Sequence, residues 1–272
     1  MKKSIVQGFF GKQPLEQVFK RLRAAHYDGL QLAMRATAAD GEVNLEMSDA
    51  EVRHIRRAAK AHGLRCHSLM PQTGVSLASA KAAERRTCVK HFQRMLELAK
   101  GLGCENILCH PGHVAAETPY DAFYGWVVEG LRALAPAARK AGIPILLENV
   151  WNRFMYSPLE AKQILADVGS RAVGVYLDLG NIIPFGWPEQ WIRMLGRRIG
   201  EVHIKDFRRQ VMSGAGFVYP LMGDVDWVAV MRELRRVKYD GWLCAEYGPY
   251  PQFPDKALRD IATSIDAILA LP

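Results

Sequence analysis

Short apolar runs that end in charge or glycine alternate along this chain with longer stretches whose apolar positions recur at helical spacing. The first pair is a strand at Ile5–Phe9 and a helix from Pro14 to about His26, with Leu15, Val18, Phe19 and Leu22 on one face. A strand at Gly29–Met34 precedes a helix that opens at a Ser48 cap, carries Asp49 and Glu51 in its first turn and closes at Gly63. The pattern then predicts a strand at Leu64–Leu69, a helix from about Ala78 to Lys100, a strand in ENILCH (105–110) and a helix from about Asp121 to Ala141. A strand at Ile143–Glu148 leads to a helix announced by Ser157-Pro158, a Ser cap with Pro at the first helical position. Strands at Ala172–Asp178, Gly200–Asp206 and Trp242–Glu246 follow, separated by helices at Pro188–Leu195 and after an Asp226 cap, and a helix from about Asp255 to Leu269 comes last.

Eight strand–helix units in 272 residues predict a single (β/α)8 TIM barrel over residues 1–272. A doubly wound sheet is the alternative. It does not explain why polar residues close so many of the strands: His67, His110, Glu148, Asp178, His203 and Glu246 all stand at or near C-terminal strand ends. In a barrel those ends converge on one mouth.

Composition narrows the picture in three places. The chain is 49% hydrophobic, enough for a full core, and no Pro/Ser-rich linker divides it. The N-terminal MKKSIVQGFFGK has an apolar run too brief for a signal segment, and no stretch approaches the roughly twenty apolar residues of a membrane span, so a cytoplasmic protein without a membrane partner is expected. Five cysteines with no CxxC pair indicate neither a disulfide framework nor a cysteine metal site. The net charge of +8 admits an anionic substrate or nucleic acid, but much of the excess sits on helical faces such as Arg53–Lys60 and Arg232–Lys238, where it reads as solvated surface.

The candidate chemistry lies in the second half. IPILLENV delivers Glu148, VGVYLDLGN delivers Asp178 with Asn181, GEVHIKD delivers His203, and GWLCAEYG delivers Glu246. Two glutamates, an aspartate and a histidine make an O3N set that suits one divalent ion such as Mn, Co or Mg better than a structural zinc. Three carboxylates over-neutralise such an ion by about one charge and leave coordination positions for water or sugar-like oxygens. His67 and His110 stand either as substrate contacts or as core and loop residues. Trp151, Phe154, Phe185, Trp187 and Phe217 are available to wall a small polar ligand.

The motifs LLENVWNRF, VYLDLGN, EVHIKDF, GDVDW and CAEYG resemble the sugar phosphate isomerase/epimerase superfamily of xylose-isomerase-like TIM barrels, nearest to ketose 3-epimerases of the tagatose/allulose and ribulose- or xylulose-phosphate kinds. The likeness runs along nearly the whole chain and is strongest from residue 143 onward. It implies a metal-dependent carbohydrate isomerase or epimerase, with manganese among the expected ions and Glu148, Asp178, His203 and Glu246 as the metal ligands. It also implies that Glu148 and Glu246 lie on opposite faces of a bound ketose, one removing the C3 proton and the other returning it. Arg209, six residues past the histidine, takes the position of an arginine that contacts substrate oxygens, and His67, His110, Asn181 and Trp151 complete the expected substrate contacts. Met155 follows Arg153-Phe154 where tagatose-type enzymes carry a further glutamate, and Asn181 stands where they carry histidine, as in the ribulose-phosphate epimerases.

The partner expected is therefore a sugar or sugar phosphate and not nucleic acid, with a homodimer or homotetramer as the assembly. Two rival enzymes share the barrel, and a non-catalytic sugar-binding barrel is a third possibility. Hydroxypyruvate isomerases and inosose dehydratases keep the single metal and change the reaction. An endonuclease-IV-like hydrolase needs three zinc ions and would recruit His67 and His110 as ligands, but Asn181 replaces a required histidine and no Asp-x-His pair follows strand seven.

Overall fold

In the computed structural model, which describes residues 1–272, eight parallel strands close on themselves. They are β1 (Lys2–Val6), β2 (Gly29–Arg35), β3 (Arg65–Gln72), β4 (Asn106–Cys109), β5 (Ile145–Glu148), β6 (Val173–Asp178), β7 (Ile199–Ile204) and β10 (Trp242–Ala245), with β10 pairing both β7 and β1. The connecting helices are α1 (Leu15–Ala24), α2 (Asp49–Ala61), α3 (Ala82–Leu102), α4 (Tyr120–Ala141), α5 (Pro158–Val168), α7 (Pro188–Leu195), α8 (Trp227–Arg236) and α9 (Pro254–Leu269). This is the (β/α)8 barrel that the alternation of elements predicts, and no helix is long and apolar enough to cross a membrane.

Local chemistry sets the element ends. At α2 the Ser48 hydroxyl accepts from the Glu51 amide while the Glu51 carboxylate accepts from the Ser48 amide, a reciprocal cap that starts the helix where the sequence places it. Gly103, Gly142 and Gly169 end α3, α4 and α5 in left-handed conformation. The first strand differs from expectation: it spans Lys2–Val6 and not Ile5–Phe9, because Gln7–Phe10 turns into a 3-10 segment. There the Gln7 side chain accepts from the Ala33 amide at 2.8 Å, so the chain leaves the sheet while Phe9 and Phe10 stay buried. Two further elements went unforeseen. A one-turn helix α6 (Leu179–Ile182) follows β6, and a small antiparallel hairpin, β8 (Asp206–Phe207) with β9 (Phe217–Val218), rises after β7.

The main core fills the space between strands and helices, whereas Leu108, Leu146 and Tyr176 form a separate cluster with Met70 inside the barrel. All five cysteines are free and buried.

Candidate active site

Alternation along a strand decides which side chains enter the barrel, because residues two apart share a face. Glu201 and His203 therefore point the same way from β7, as do Tyr176 and Asp178 from β6 and Cys244 and Glu246 at β10. At the C-terminal rim Glu148, Asp178, His203 and Glu246 each bring one ligand atom to within 4.8 Å of the others. His203 Nδ1 lies 2.8 Å from Glu148 Oε1, 3.5 Å from Glu246 Oε2 and 3.9 Å from Asp178 Oδ2.

Two local devices hold Asp178. Its Oδ1 caps α6 by accepting from the Asn181 amide at 2.8 Å, which leaves Oδ2 facing the other carboxylates. Asn149, just past β5, donates to the Asp178 carbonyl at 2.8 Å and accepts from the Asp178 amide at 2.9 Å, tying the ends of β5 and β6 together. Lys205, which the sequence leaves without a role, places its ammonium 2.5 Å from Glu246 Oε2 and 3.1 Å from Asp178 Oδ2, with neither oxygen in a well-aligned hydrogen bond. Gly180 makes room for it: a Cβ there would sit 2.5 Å from Lys205 Cβ and 3.0 Å from its carbonyl carbon.

Burial and crowding reshape the acidity of this cluster. For Asp178 burial is the largest influence and, with Glu246 and Glu148 adding and Lys205 and His203 opposing, its pKa is pushed up to about 6. Burial alone would raise Glu246, but Lys205 and His203 outweigh it and hold this carboxyl below the usual range. Burial would likewise lower His203, yet Glu246, Cys244 and Glu148 beside it keep its pKa well above that of an ordinary imidazole.

A cavity of about 380 Å³ opens above the cluster, with Glu148, Glu246, Lys205, His110, Trp151 and Asn181 among its lining residues. That volume is in the range of small-molecule sites, about 300–1,000 Å³. Trp151 donates from Nε1 to the Asn181 carbonyl at 3.0 Å and packs edge-on against Phe185 and Phe207. Burial, reinforced by His113 and opposed by Glu246, lowers the pKa of His110. A wider cavity of about 1220 Å³ adjoins the first, sharing Gln72 and lined also by Lys12 and Arg35.

Two expected substrate contacts do not reach either cavity. His67 has 0% exposure; its ring stacks on Trp242 at 4.3 Å, and its Nδ1 lies 2.8 Å from Glu201 Oε1. It belongs to a second buried group with Glu201 and Cys244, and neither it nor His110 joins the four rim residues. Arg209 starts a 3-10 turn whose amide is held by Asp224 at 2.7 Å, and its guanidinium donates to the Gly186 carbonyl at 3.1 Å while lying 4.9 Å from the Trp187 ring.

The sequence profile of the family described as "Xylose isomerase-like TIM barrel" matches residues 19–269. The chain belongs to this family. Among named relatives of this xylose isomerase-like barrel, D-psicose 3-epimerase of Agrobacterium fabrum is 29% identical over 216 residues, 74% of this chain and 70% of that protein. The 2-oxo-tetronate isomerase of Pectobacterium atrosepticum is 26% identical over 166 residues, 59% of this chain and 61% of that protein. The crystal structure of a D-psicose 3-epimerase in the presence of D-fructose superposes with a TM-score of 0.80 at 22% identity, covering 99% of each chain.

In this family member the polar residues that sequence reasoning missed are Lys205, Gln31, Tyr176, Asn149 and Glu201. Gln31 in GLQLAM was visible as a single polar residue inside an apolar run, and Glu201 in GEVHI as a carboxylate two residues before His203 on the same strand face, which is the one signal a sequence offers for a buried polar partner.

Proposed function

We propose that the chain is a carbohydrate isomerase, a divalent-metal-dependent ketose 3-epimerase that inverts C3 by proton transfer through an enediolate. The observation that carries the reading is the pairing of Glu148 and Glu246 within one four-residue cluster, at the ends of strands separated by two others around the barrel and at the floor of a sugar-sized cavity. The donor set fits the ion: Asp178 Oδ2 and Glu246 Oε2 are buried without an aligned hydrogen-bond donor, and the His203 Nδ1 edge faces all three carboxylates. Glu148, Asp178, His203 and Glu246 would hold Mn, Co or Mg, which supplies positive charge beside the sugar's carbonyl and hydroxyl oxygens and so makes the C3 proton removable.

The chain's own residues do the rest. One of the two glutamates takes the C3 proton and the other delivers a proton to the opposite face, which is what inversion requires. Asn181, Trp151 and His110 shape the wall, with Asn181 and His110 offering hydrogen bonds to hydroxyls and Trp151 excluding water over an apolar face. Lys205 presents an ammonium to the developing oxyanion. His67 and Arg209 act at one remove, His67 from below the cluster and Arg209 by bracing Trp187.

A phosphorylated ketose is the alternative form of the substrate, although the wider cavity that carries Lys12 and Arg35 is also lined by Asp40, Glu42 and Glu51. The likeness to a 2-oxo-tetronate isomerase favours isomerisation, a shift of the carbonyl to a neighbouring carbon, as the second reaction. A panel of ketoses and ketose phosphates in deuterium oxide with Mn, Co and Mg separates these outcomes: epimerisation labels C3, isomerisation labels C1 or C2, and dehydration gives a new product. Glu148→Gln and Glu246→Gln are each expected to abolish inversion at C3, a loss of at least about 10³-fold. Epimerisation that persists in either variant would overturn the two-carboxylate mechanism. The reading takes the protein as one barrel domain over residues 1–272, cytoplasmic, without a nucleic-acid partner, and assembled as a homodimer or homotetramer; sedimentation velocity reads the assembly.

A further inference from the structure

Below the rim lies a set of polar side chains that the proposed reaction does not touch. Gln31, Ser68, Glu201 and His203 have 0% exposure, and Tyr176 is equally enclosed. With no solvent to serve as an alternative partner, each hydrogen bond among them has a determined direction.

The direction starts at Glu201, a carboxylate on which donors converge. The Tyr176 hydroxyl donates to Oε1 at 2.6 Å, and Asn106 Nδ2 donates to Oε2. An Asn106 amide so oriented turns its Oδ1 to Ser68, whose hydroxyl donates to it at 2.7 Å. Both hydroxyls have then committed their only proton, so toward Gln31 they can only accept, and Gln31 Nε2 donates to Tyr176 at 2.9 Å and to Ser68 at 3.2 Å. With its nitrogen held on that side, Gln31 presents Oε1 to His203 Nε2, 3.1 Å away. An acceptor in that position calls for a proton on Nε2.

The opposite edge of the same ring feels the opposite demand. Glu148 Oε1 lies 2.8 Å from His203 Nδ1, so it too would accept the ring proton. The two acceptors compete, and only the inner one leaves the Nδ1 lone pair free to bind a cation among Glu148, Asp178 and Glu246.

We propose that Gln31 is a positioning residue for the metal: a two-armed hydrogen-bond chain from Glu201, through Tyr176 on one side and Asn106 and Ser68 on the other, holds its amide in one orientation and thereby reserves His203 Nδ1 as the ligand atom. The inference rests on the ligand reading given above. It assigns a purpose to four interior polar side chains on four different strands, none of which reaches the cavity.

The test uses the full chain labelled with 15N-histidine and loaded with diamagnetic Zn²⁺, with His203→Asn to assign the resonance. The expected spectrum shows a directly bonded proton on His203 Nε2 and the metal-shifted signal on Nδ1. Calorimetric titration with Mn²⁺ then compares variants whose folding is checked by thermal unfolding. Gln31→Met, which removes the acceptor at similar volume, is expected to weaken Mn²⁺ binding about 10–100-fold, whereas Gln31→Glu, which keeps an acceptor, stays within about threefold of wild type. Tyr176→Phe combined with Ser68→Ala frees the amide to turn over and is expected to weaken binding about as much as Gln31→Met, although neither residue touches His203. Coordination through Nε2, or Mn²⁺ affinity unchanged in Gln31→Met and in the double variant, overturns the inference alone. A wild-type chain that binds neither ion overturns the ligand reading, and the inference with it. Should Gln31→Met fail to fold, the wild-type spectrum and the double variant decide.

Discussion

Glu246 Oε2 has two nitrogen neighbours, the Lys205 ammonium at 2.5 Å and His203 Nδ1 at 3.5 Å. A divalent ion held by the four rim residues would compete with that ammonium for the same oxygen and for Asp178 Oδ2, and at such separations like charges repel by kilocalories even under generous screening. Lys205 would then have to leave these oxygens, and the cavity it lines gives its ammonium room. Lys205→Met is expected to tighten Mn²⁺ binding about tenfold while lowering turnover of the ketose, since the competing cation and the donor to the oxyanion are lost together. Calorimetry gives the first number and C3 deuterium exchange the second; weaker Mn²⁺ binding in this variant would contradict the competition. The four rim residues were legible in the sequence because each is an acid or imidazole ending an apolar run. Lys205 was equally visible in GEVHIKD, but nothing in a period-two pattern says which carboxylates a lysine one step further along will meet.

At the scale of elements, the stretch from Asp206 to Trp227 is built around one buried carboxylate. Asp206 accepts from the amides of Phe207, Gly223 and Val225 at 2.9, 3.0 and 3.2 Å and from Trp227 Nε1 at 3.2 Å. Gly223 is needed for that approach, since a Cβ there would lie 2.2 Å from Asp206 Oδ1. The same carboxylate anchors the β8–β9 hairpin, which brings Phe217 to the cavity wall against Trp151 at 5.0 Å. Asp206→Ala leaves several buried donors without acceptors and is expected to cost roughly 3 kcal/mol in urea unfolding, with KM rising more than kcat falls as the Phe217 wall loosens. A variant as stable as wild type would show that the loop is held by something else. Long helices and buried strands were readable because their periods repeat over many residues. Two-residue strands and a one-turn helix fall below the length at which any period can register, and the run from Ile5 to Phe10 is apolar throughout, so burial there does not distinguish sheet from 3-10 turn.

Across the whole molecule, eight units predicted closure, and closure is what turns scattered strand ends into one site. The interior it creates has a pH signature. Burial lowers the His67 pKa, but Glu201 and Cys244 outweigh burial and raise it to about 9, above the ordinary 6.5. A group that holds its proton more tightly when folded contributes stability that is fully present below about pH 6.5 and is lost as pH rises through about 9. Stability of the metal-free protein should therefore fall between pH 7 and pH 10, with His67 contributing on the order of 3 kcal/mol and His203, raised likewise, adding to it, and His67→Asn should reduce that slope. Unfolding curves at the two pH values test it, and a wild-type profile that stays level would refute the pairing with Glu201.

The seam of the barrel also bears on how the protein is made. β1 and β10 are hydrogen-bonded neighbours, Lys2 opposite Trp242 and Ile5 opposite Ala245, so the ring joins residues from nearly opposite ends of the chain. During synthesis β1 and β7 each offer an unpaired edge until β10 emerges, and Glu246 emerges directly after it. From the emergence of His203 until that of β10 a nascent chain thus carries three of the four rim residues on an open, adhesive sheet, and the step that hides those edges is the step that delivers the fourth.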